Sequence, residues 1–387
     1  MTLRVGFDLG IQGGEHPTGV ERAQATLLAG LDTARASLGG DHEFVMFSPR
    51  EVPAALRETL PADAEFPNAP GLARGLSLPL ALWRETTLPR QVSEHAVDVI
   101  VSPVAAIPLR ARCAKIATLH ELPWAEEDGV TRRVADTSLP HRARTALAAR
   151  SADRIVCVSE RTRTQFLRRH PQAEERTVVV PHGVHPRFVR TDEEVAAPRS
   201  VAEGAQPTVL AIGRLRRKKN LVTLLDAFAR SRAAATHRLL IVGPEGDAGP
   251  ALTERIAEPD LQGRVERLGF VDDERLVQLY REASCLCHTS LLEGFGLPVL
   301  EAMSAGVPVV ASRQGAADEV RGRAVQECDA LDADSIASAL DAVLGDPARA
   351  RELVALGRAH AAGFTAAACA QRVLELCAAS AGSTASR

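Results

Sequence analysis

The sequence predicts an α/β fold of two domains, each a parallel β-sheet wrapped by helices. Three observations carry that expectation. The chain has 387 residues, long for one core and suited to two. Short β-rich runs alternate with helical runs through both halves. A polar, Ala-rich stretch without apolar period, residues 191–206, interrupts the alternation and reads as a linker. The expected division is a first domain over 1–190, a linker over 191–206, a second domain over 207–365, and a terminal helix and tail over 366–387.

The first half opens with a β-rich run at 3–7. After a Gly-rich loop, Val20, Ala23, Leu27 and Leu31 recur at helical spacing. Further strands are expected at 43–47, 97–104, 115–119, 154–159 and 177–181, and helices at 142–150 and 160–170. Val97-Asp-Val-Ile-Val is nearly continuously apolar, as a strand covered on both faces should be. The strand at 43–47 apart, the stretch 39–89 carries seven prolines and reads as loops and short helices without assigned places.

In the second half, strands are expected at 208–212, 238–242, 264–270, 284–289 and 307–311. Helices are expected at 221–230, 272–283, 297–304, 334–344, 348–362 and 366–379. Ligands of such sheets bind beyond the carboxyl ends of the strands, so a cleft between two facing domains is the expected site.

Composition narrows the function classes. Hydrophobic residues make up 45% of the chain, enough for packed cores, and the net charge of −3 carries no nucleic-acid signature. Ten arginines against three acids stand between Thr131 and His170. They read either as solvated helix faces or as a basic face for an anionic acceptor or a membrane surface. No apolar run approaches a membrane span, and the opening residues lack a signal peptide's pattern. Seven cysteines without framework spacing fit a reducing compartment. The expected location is the cytoplasm, with the inner membrane face as the alternative. Cys285-Leu-Cys287-His288 lacks a second ligand pair nearby, so no metal site is expected and the cysteines read as small core residues.

The strongest motif is Glu293-Gly-Phe-Gly-Leu-Pro-Val-Leu-Glu301, two glutamates around a strand–loop–helix transition. Pro298 suits a first helical turn, and Gly294 and Gly296 let a ligand approach the backbone closely. The N–H groups of Phe295, Gly296 and Leu297 at a helix start form a cradle for an anion or a hydroxyl. The two carboxylates suit sugar hydroxyls.

The second motif follows the strand at 208–212. Gly213 opens a loop carrying Arg214, Arg216, Arg217, Lys218 and Lys219 before a helix. Cations oppose the dipole at a helix start unless an anion is shared with it, and a diphosphate is such an anion. Negative charge grows on a leaving diphosphate during group transfer, so fixed cations there lower the barrier.

These stretches resemble the retaining glycosyltransferases of the GT-B group, sequence family four, and the resemblance extends over most of the chain. It implies two Rossmann-like domains facing across a cleft, with the C-terminal helix crossing back onto the N-terminal domain. It also implies that Arg214 and Lys219 hold the donor diphosphate and Glu301 the ribose hydroxyls. Glu293 and the backbone of Gly294, Phe295 and Gly296 would contact the transferred sugar. Thr18-Gly19-Val20-Glu21-Arg22 resembles the family's N-terminal glycine loop, with Thr18 in place of the usual first Gly, so Gly19 alone carries over as a donor contact. Leu119-His120-Glu121 resembles the segment whose His lies by the sugar, giving His120 a positioning role. Gly269-Phe270-Val271-Asp272 resembles the strand end whose backbone reads the base, which points to Val271. In Val180-Pro181-His182-Gly183-Val184, His182 replaces a common Asn. His182, His185 and His288 read as loop or packing residues. After the strand at 307–311 only Gly315 and Glu319 keep the family pattern, which puts sugar contacts there in doubt.

By this resemblance the chain moves a hexose from a nucleoside-diphosphate sugar to a hydroxyl of a glycan, a lipid-linked glycan or a small molecule, with retention and by front-face displacement. No separate cofactor is expected, and Arg214 and Lys219 would stand in for a divalent metal. GDP-mannose is the favoured donor, with UDP- and dTDP-sugars as alternatives. Two other classes compete: an oxidoreductase, whose G-x-G-x-x-G fingerprint is absent after the first strand, and a non-catalytic sugar-nucleotide sensor of the same fold.

Overall fold

The computed structural model describes residues 2–67, 79–125, 139–196 and 206–384. Two compact units emerge among these residues: 2–67, 79–125, 139–183 and 364–384 in the first, and 184–196 and 206–363 in the second.

In the first unit, β1 (Arg4–Asp8), β2 (Glu43–Phe47), β3 (Val99–Ser102), β4 (Ala114–Leu119), β5 (Arg154–Cys157) and β6 (Thr177–Val179) form one parallel sheet in the order β2-β1-β3-β4-β5-β6. Alternation divides its faces. Val5, Phe7, Val99 and Val101 join one core cluster, while Val45, Phe47 and Ile100 join the opposite one. The last helix, Ala366–Thr384, belongs to this unit and buries Cys369, Ala370, Val373, Leu374 and Cys377 against Phe7, Leu28 and Leu31. Glycine permits that docking. A Cβ on Gly30 would stand 2.3 Å from the Ala366 carbonyl oxygen, and one on Gly183 2.4 Å from that of Thr365.

Within the proline-dense stretch, helices run over Ala54–Arg57 and Leu80–Glu94, the second with Pro89 inside it. Proline density argued against a long helix there, and Trp83, Leu88 and Val92 on one buried face decided for it. Of the Arg-rich region, residues 131–138 lie outside the described residues, and helices Leu139–Ser151 and Glu160–Arg169 cover most of the rest. Among the described residues no helix is long and apolar enough to cross a membrane.

In the second unit, β7 (Thr208–Ile212), β8 (Arg238–Val242), β9 (Val265–Gly269), β10 (Cys285–His288), β11 (Val309–Ser312) and β12 (Gln326–Cys328) form another parallel sheet, ordered β12-β11-β10-β7-β8-β9. The chain lays β8 and β9 on one side of β7, then returns to place β10 on the other. The carboxyl ends of β7 and β10 therefore flank the point where strand order reverses, where open sheets of this kind bind ligands.

The break between units falls after Gly183 rather than after residue 190. Residues 184–190 are held by the second unit: Phe188 meets Tyr280 edge-on at 5.6 Å, Arg187 pairs with Asp273, and Arg190 donates its N–H to the Ser304 carbonyl at 3.2 Å. Of the expected linker 191–206, residues 197–205 lie outside the described residues, while Asp192–Ala196 is a short helix. Thr191 and Glu194 cap its start reciprocally, and Arg358 binds Asp192 at 2.6 Å. That capping pair is readable in the sequence and outweighs the unpatterned composition.

Candidate active site

Pairing of β7 with β10 sets two sequence-distant loops side by side. The cation loop leaves β7 through Gly213 (φ 142°), buries Leu215, makes a single 3₁₀ turn over Arg217–Lys219, and enters helix Leu221–Arg230 through Asn220 in the left-handed region. The loop after β10 is stitched to it: Leu291 donates its N–H to the Lys218 carbonyl at 2.7 Å. A Cβ on Gly213 would stand 2.6 Å from Lys219 Cε, so the lysine folds over its own loop's first residue.

There Lys219 Nζ lies 2.5 Å from Glu293 Oε1, with both side chains 13% exposed. His288 Nε2 stands 3.8 Å from the same oxygen. Burial alone would push the Glu293 carboxyl up, but the Lys219, Lys218 and His288 fields outweigh it and hold it down at about 2. Burial and the nearby lysine push His288 down to about 4, so it is a neutral imidazole at pH 7. In the sequence alone His288 reads as a loop or packing residue. Its place at the carboxyl end of β10, beside Glu293 and Lys219, makes it part of this cluster.

Arg214 occupies the same loop and donates Nη1 to the Glu245 carbonyl at 3.1 Å. The loop after β8 packs against it through glycine: a Cβ on Gly243 would stand 2.2 Å from the Gly213 carbonyl oxygen.

Gly296 (φ 106°) starts helix Leu297–Ser304, with Pro298 in its first turn. Its bare Cα allows contact with Ala316, whose Cβ would lie 2.5 Å from an added methyl. Phe295 is buried and its carbonyl accepts from Ala317 N–H at 2.8 Å. Gly315, which keeps the family pattern, packs equally closely on the His288 carbonyl. Glu301 is buried one turn further along, its Oε2 accepting from the Tyr280 hydroxyl at 2.8 Å. Tyr280 is the chain's single tyrosine, and that singularity was the signal available for it. Val271 follows β9 after Gly269, which is left-handed at φ 68°. The structure thus joins Lys219 to Glu293 directly and sets Gly213, Arg214, Gly294, Phe295, Gly296 and Leu297 on the two adjoining loops.

His120 and Gly19 belong to the first unit. Gly19 is the exposed first residue of helix Gly19–Ala29. Thr18 is its N-cap, in a reciprocal box with Glu21, which explains a threonine where the resemblance expects glycine. That helix starts ten residues beyond β1, too late for a dinucleotide fingerprint, which requires the helix to open directly after the strand. At the end of β4, His120 Nε2 meets the Pro103 carbonyl at 2.7 Å, and its Nδ1 meets His182 Nε2 at 3.1 Å. His182, expected as a packing residue, is therefore His120's partner. Burial lowers both imidazoles below their ordinary range.

All seven cysteines are free and buried, Cys285 and Cys287 within the second unit's core. Among the described residues no group of three His, Cys, Asp or Glu side chains gathers in a metal-binding arrangement.

Two family models match the chain: Glycosyltransferase Family 4 over residues 18–188 and Glycosyl transferases group 1 over residues 192–360. The chain belongs to the group 1 glycosyltransferases. The O-antigen chain mannosyltransferase B of Escherichia coli is 31% identical over 227 residues, 56% of this chain and 58% of that protein. The D-inositol 3-phosphate glycosyltransferase of Nocardia farcinica is 33% identical over 237 residues, 58% of this chain and 52% of that protein. The chain thus spans about half the length of the curated relatives it matches. In fold, this glycosyltransferase superposes on Anabaena Alr3699/HepE in complex with UDP-glucose with a TM-score of 0.71, at 21% identity, over 97% of this chain and 100% of that one. The fold is GT-B, with two Rossmann-like units and a final helix returned to the first.

Proposed function

We propose that this protein transfers a hexose from a nucleoside-diphosphate sugar to an acceptor hydroxyl, with retention of anomeric configuration and without a divalent metal. The observation that carries this is the Lys219–Glu293 contact at the β7/β10 switch point, beside a glycine-opened helix start. In the donor complex Lys219 and Arg214 would take the diphosphate. Glu293 would turn to the sugar hydroxyls, and Glu301, anchored by Tyr280, to the ribose. Negative charge that grows on the leaving diphosphate meets cations already in place, and these supply what a metal supplies elsewhere. Loss of one such contact costs on the order of 10²–10³ in rate. The sugar–phosphate bond breaks ahead of attack, the acceptor oxygen enters on the same face, and its proton passes to the departing phosphate. His120 would lie against the transferred sugar as a ring held by Pro103 and His182, and the peptide around Val271 would read the base. GDP-mannose is the favoured donor, supported by the mannosyltransferase among the relatives, and a UDP-hexose is the alternative, supported by the fold relative bound to UDP-glucose.

The test begins with thermal shifts against GDP, UDP and dTDP, where a nucleotide at 100 times its Kd adds about 2.7 kcal/mol. Matching donors are then incubated with acceptor mixtures with and without EDTA, and the anomeric coupling of the product is read by NMR. An inverted linkage refutes retention, and activity lost to EDTA and restored by Mg²⁺ or Mn²⁺ refutes metal independence. Donor binding with neither transfer nor hydrolysis would make the protein a sensor.

A further inference from the structure

Three segments of the first unit converge on one imidazole. Pro103 follows β3, His120 follows β4, and His182 follows β6, three strand ends on the same carboxyl edge. The Pro103 carbonyl can only accept, so the 2.7 Å contact puts a proton on His120 Nε2. A neutral imidazole carries one N–H, which leaves His120 Nδ1 as an acceptor. The atom facing Nδ1 at 3.1 Å is His182 Nε2, which must then be the donor. The proton order is forced: His182 Nε2–H to His120 Nδ1, and His120 Nε2–H to Pro103 O. The ring centroids lie 5.0 Å apart with planes 26° from parallel, as that bond between two imidazoles requires.

The surroundings hold this arrangement in register. Thr162 donates its hydroxyl to the His120 carbonyl at 3.3 Å. His182 is followed by Gly183, over which the chain entering the last helix passes so closely that no Cβ fits. Both rings border a cavity of about 30 Å³ that is also lined by Gln24 and Thr118.

We infer that His182 is a positioning residue for the transfer reaction, donating Nε2–H to His120 Nδ1 and so anchoring at its second nitrogen the ring whose tautomer Pro103 selects. This rests on the transferase reading for its kinetic consequence and on geometry alone for its tautomer. The role requires an N–H donor of short reach at position 182. Ala is a poor probe, because it enlarges the cavity and admits a water able to donate in place of the imidazole. Leu fills the space without donating. Asn and Asp share a shape, and only Asn donates.

The experiment uses the full chain, ¹⁵N-labelled, with long-range ¹H–¹⁵N correlations assigned through His120→Gln and His182→Asn. The wild type should show His120 protonated at Nε2 and bare at Nδ1. His182→Leu should leave His120 Nε2 protonated against Pro103 but shift the now unbonded Nδ1 resonance and release the ring, lowering kcat about tenfold, the value of one lost hydrogen bond, with donor KM within about twofold. His182→Asn should restore the hydrogen-bonded Nδ1 resonance, and kcat to within about threefold, and His182→Asp should not. His120 protonated at Nδ1 in the wild type overturns the inference, as does an unchanged Nδ1 resonance and kcat in His182→Leu. If the Leu variant fails to fold, the Asn and Asp pair decides, and equal behaviour of the two overturns the inference. Should no donor turn over, the transferase reading fails while the NMR still decides the role of His182.

Discussion

Lys219 and Glu293, separated by 74 positions in the chain, meet through Nζ and Oε1 at 2.5 Å. Each is the other's main compensation for burial. Removing one partner of a largely buried pair strands the other charge, whereas removing both is far milder. Lys219→Met should therefore cost about 2–3 kcal/mol in urea unfolding of the ligand-free protein, below the 3–5 of a fully enclosed pair. Lys219→Met combined with Glu293→Gln should recover at least half of that loss. A loss under about 0.5 kcal/mol for the single variant would show that the pair contributes nothing to the fold.

Acid stability should carry the signature of His288. Its folded value of about 4 lies below the ordinary 6.5, so the unfolded chain takes up the proton first. The resulting stability loss sets in as pH falls through 6.5 and is complete below 4, to a total of about 3 kcal/mol. Glu293, held at about 2 against an ordinary 4.5, adds a second loss as pH falls from 4.5 towards 2. His288→Gln should flatten the first limb. Urea midpoints measured from pH 7 to pH 4 would check this, and an unchanged slope in the variant would contradict the buried neutral imidazole.

Glu301 receives the Tyr280 hydroxyl in a buried setting, and Tyr280→Phe removes that hydrogen bond. The expected cost is about 1–2 kcal/mol in stability. On the proposed reading donor KM should rise several-fold while kcat stays within about twofold, since the ribose contact is made equally before and during transfer. Steady-state kinetics with the matching donor would show this, and a fall in kcat alone would place Glu301 at the reacting centre instead.

Much of the architecture was legible because burial on both faces writes itself into strands as unbroken apolar runs. Residues 208–212 and 238–242 were placed to the residue, while 97–104 shrank to Val99–Ser102, since the ends of an apolar run do not mark where ladder pairing stops. Leu80–Glu94 was missed because Pro89 is locally unfavourable in a helix, and packing of Trp83 and Leu88 overrides that local cost. His182 and His288 read as loop or packing residues because a lone histidine has no partner visible in one dimension.

By itself the sequence determined the two α/β units, the cation-rich loop after β7 and the glutamates around Gly294-Phe295-Gly296, because backbone periodicity and special φ values are local demands on residue type. Strand order decided the rest. Only the placement of β10 beside β7 brings Lys219 to Glu293, and only β3, β4 and β6 ending on one edge bring Pro103, His120 and His182 into a line of hydrogen bonds. Contact energies at those points fall off within a few ångströms, so chemistry there depends on neighbours that chain order does not supply.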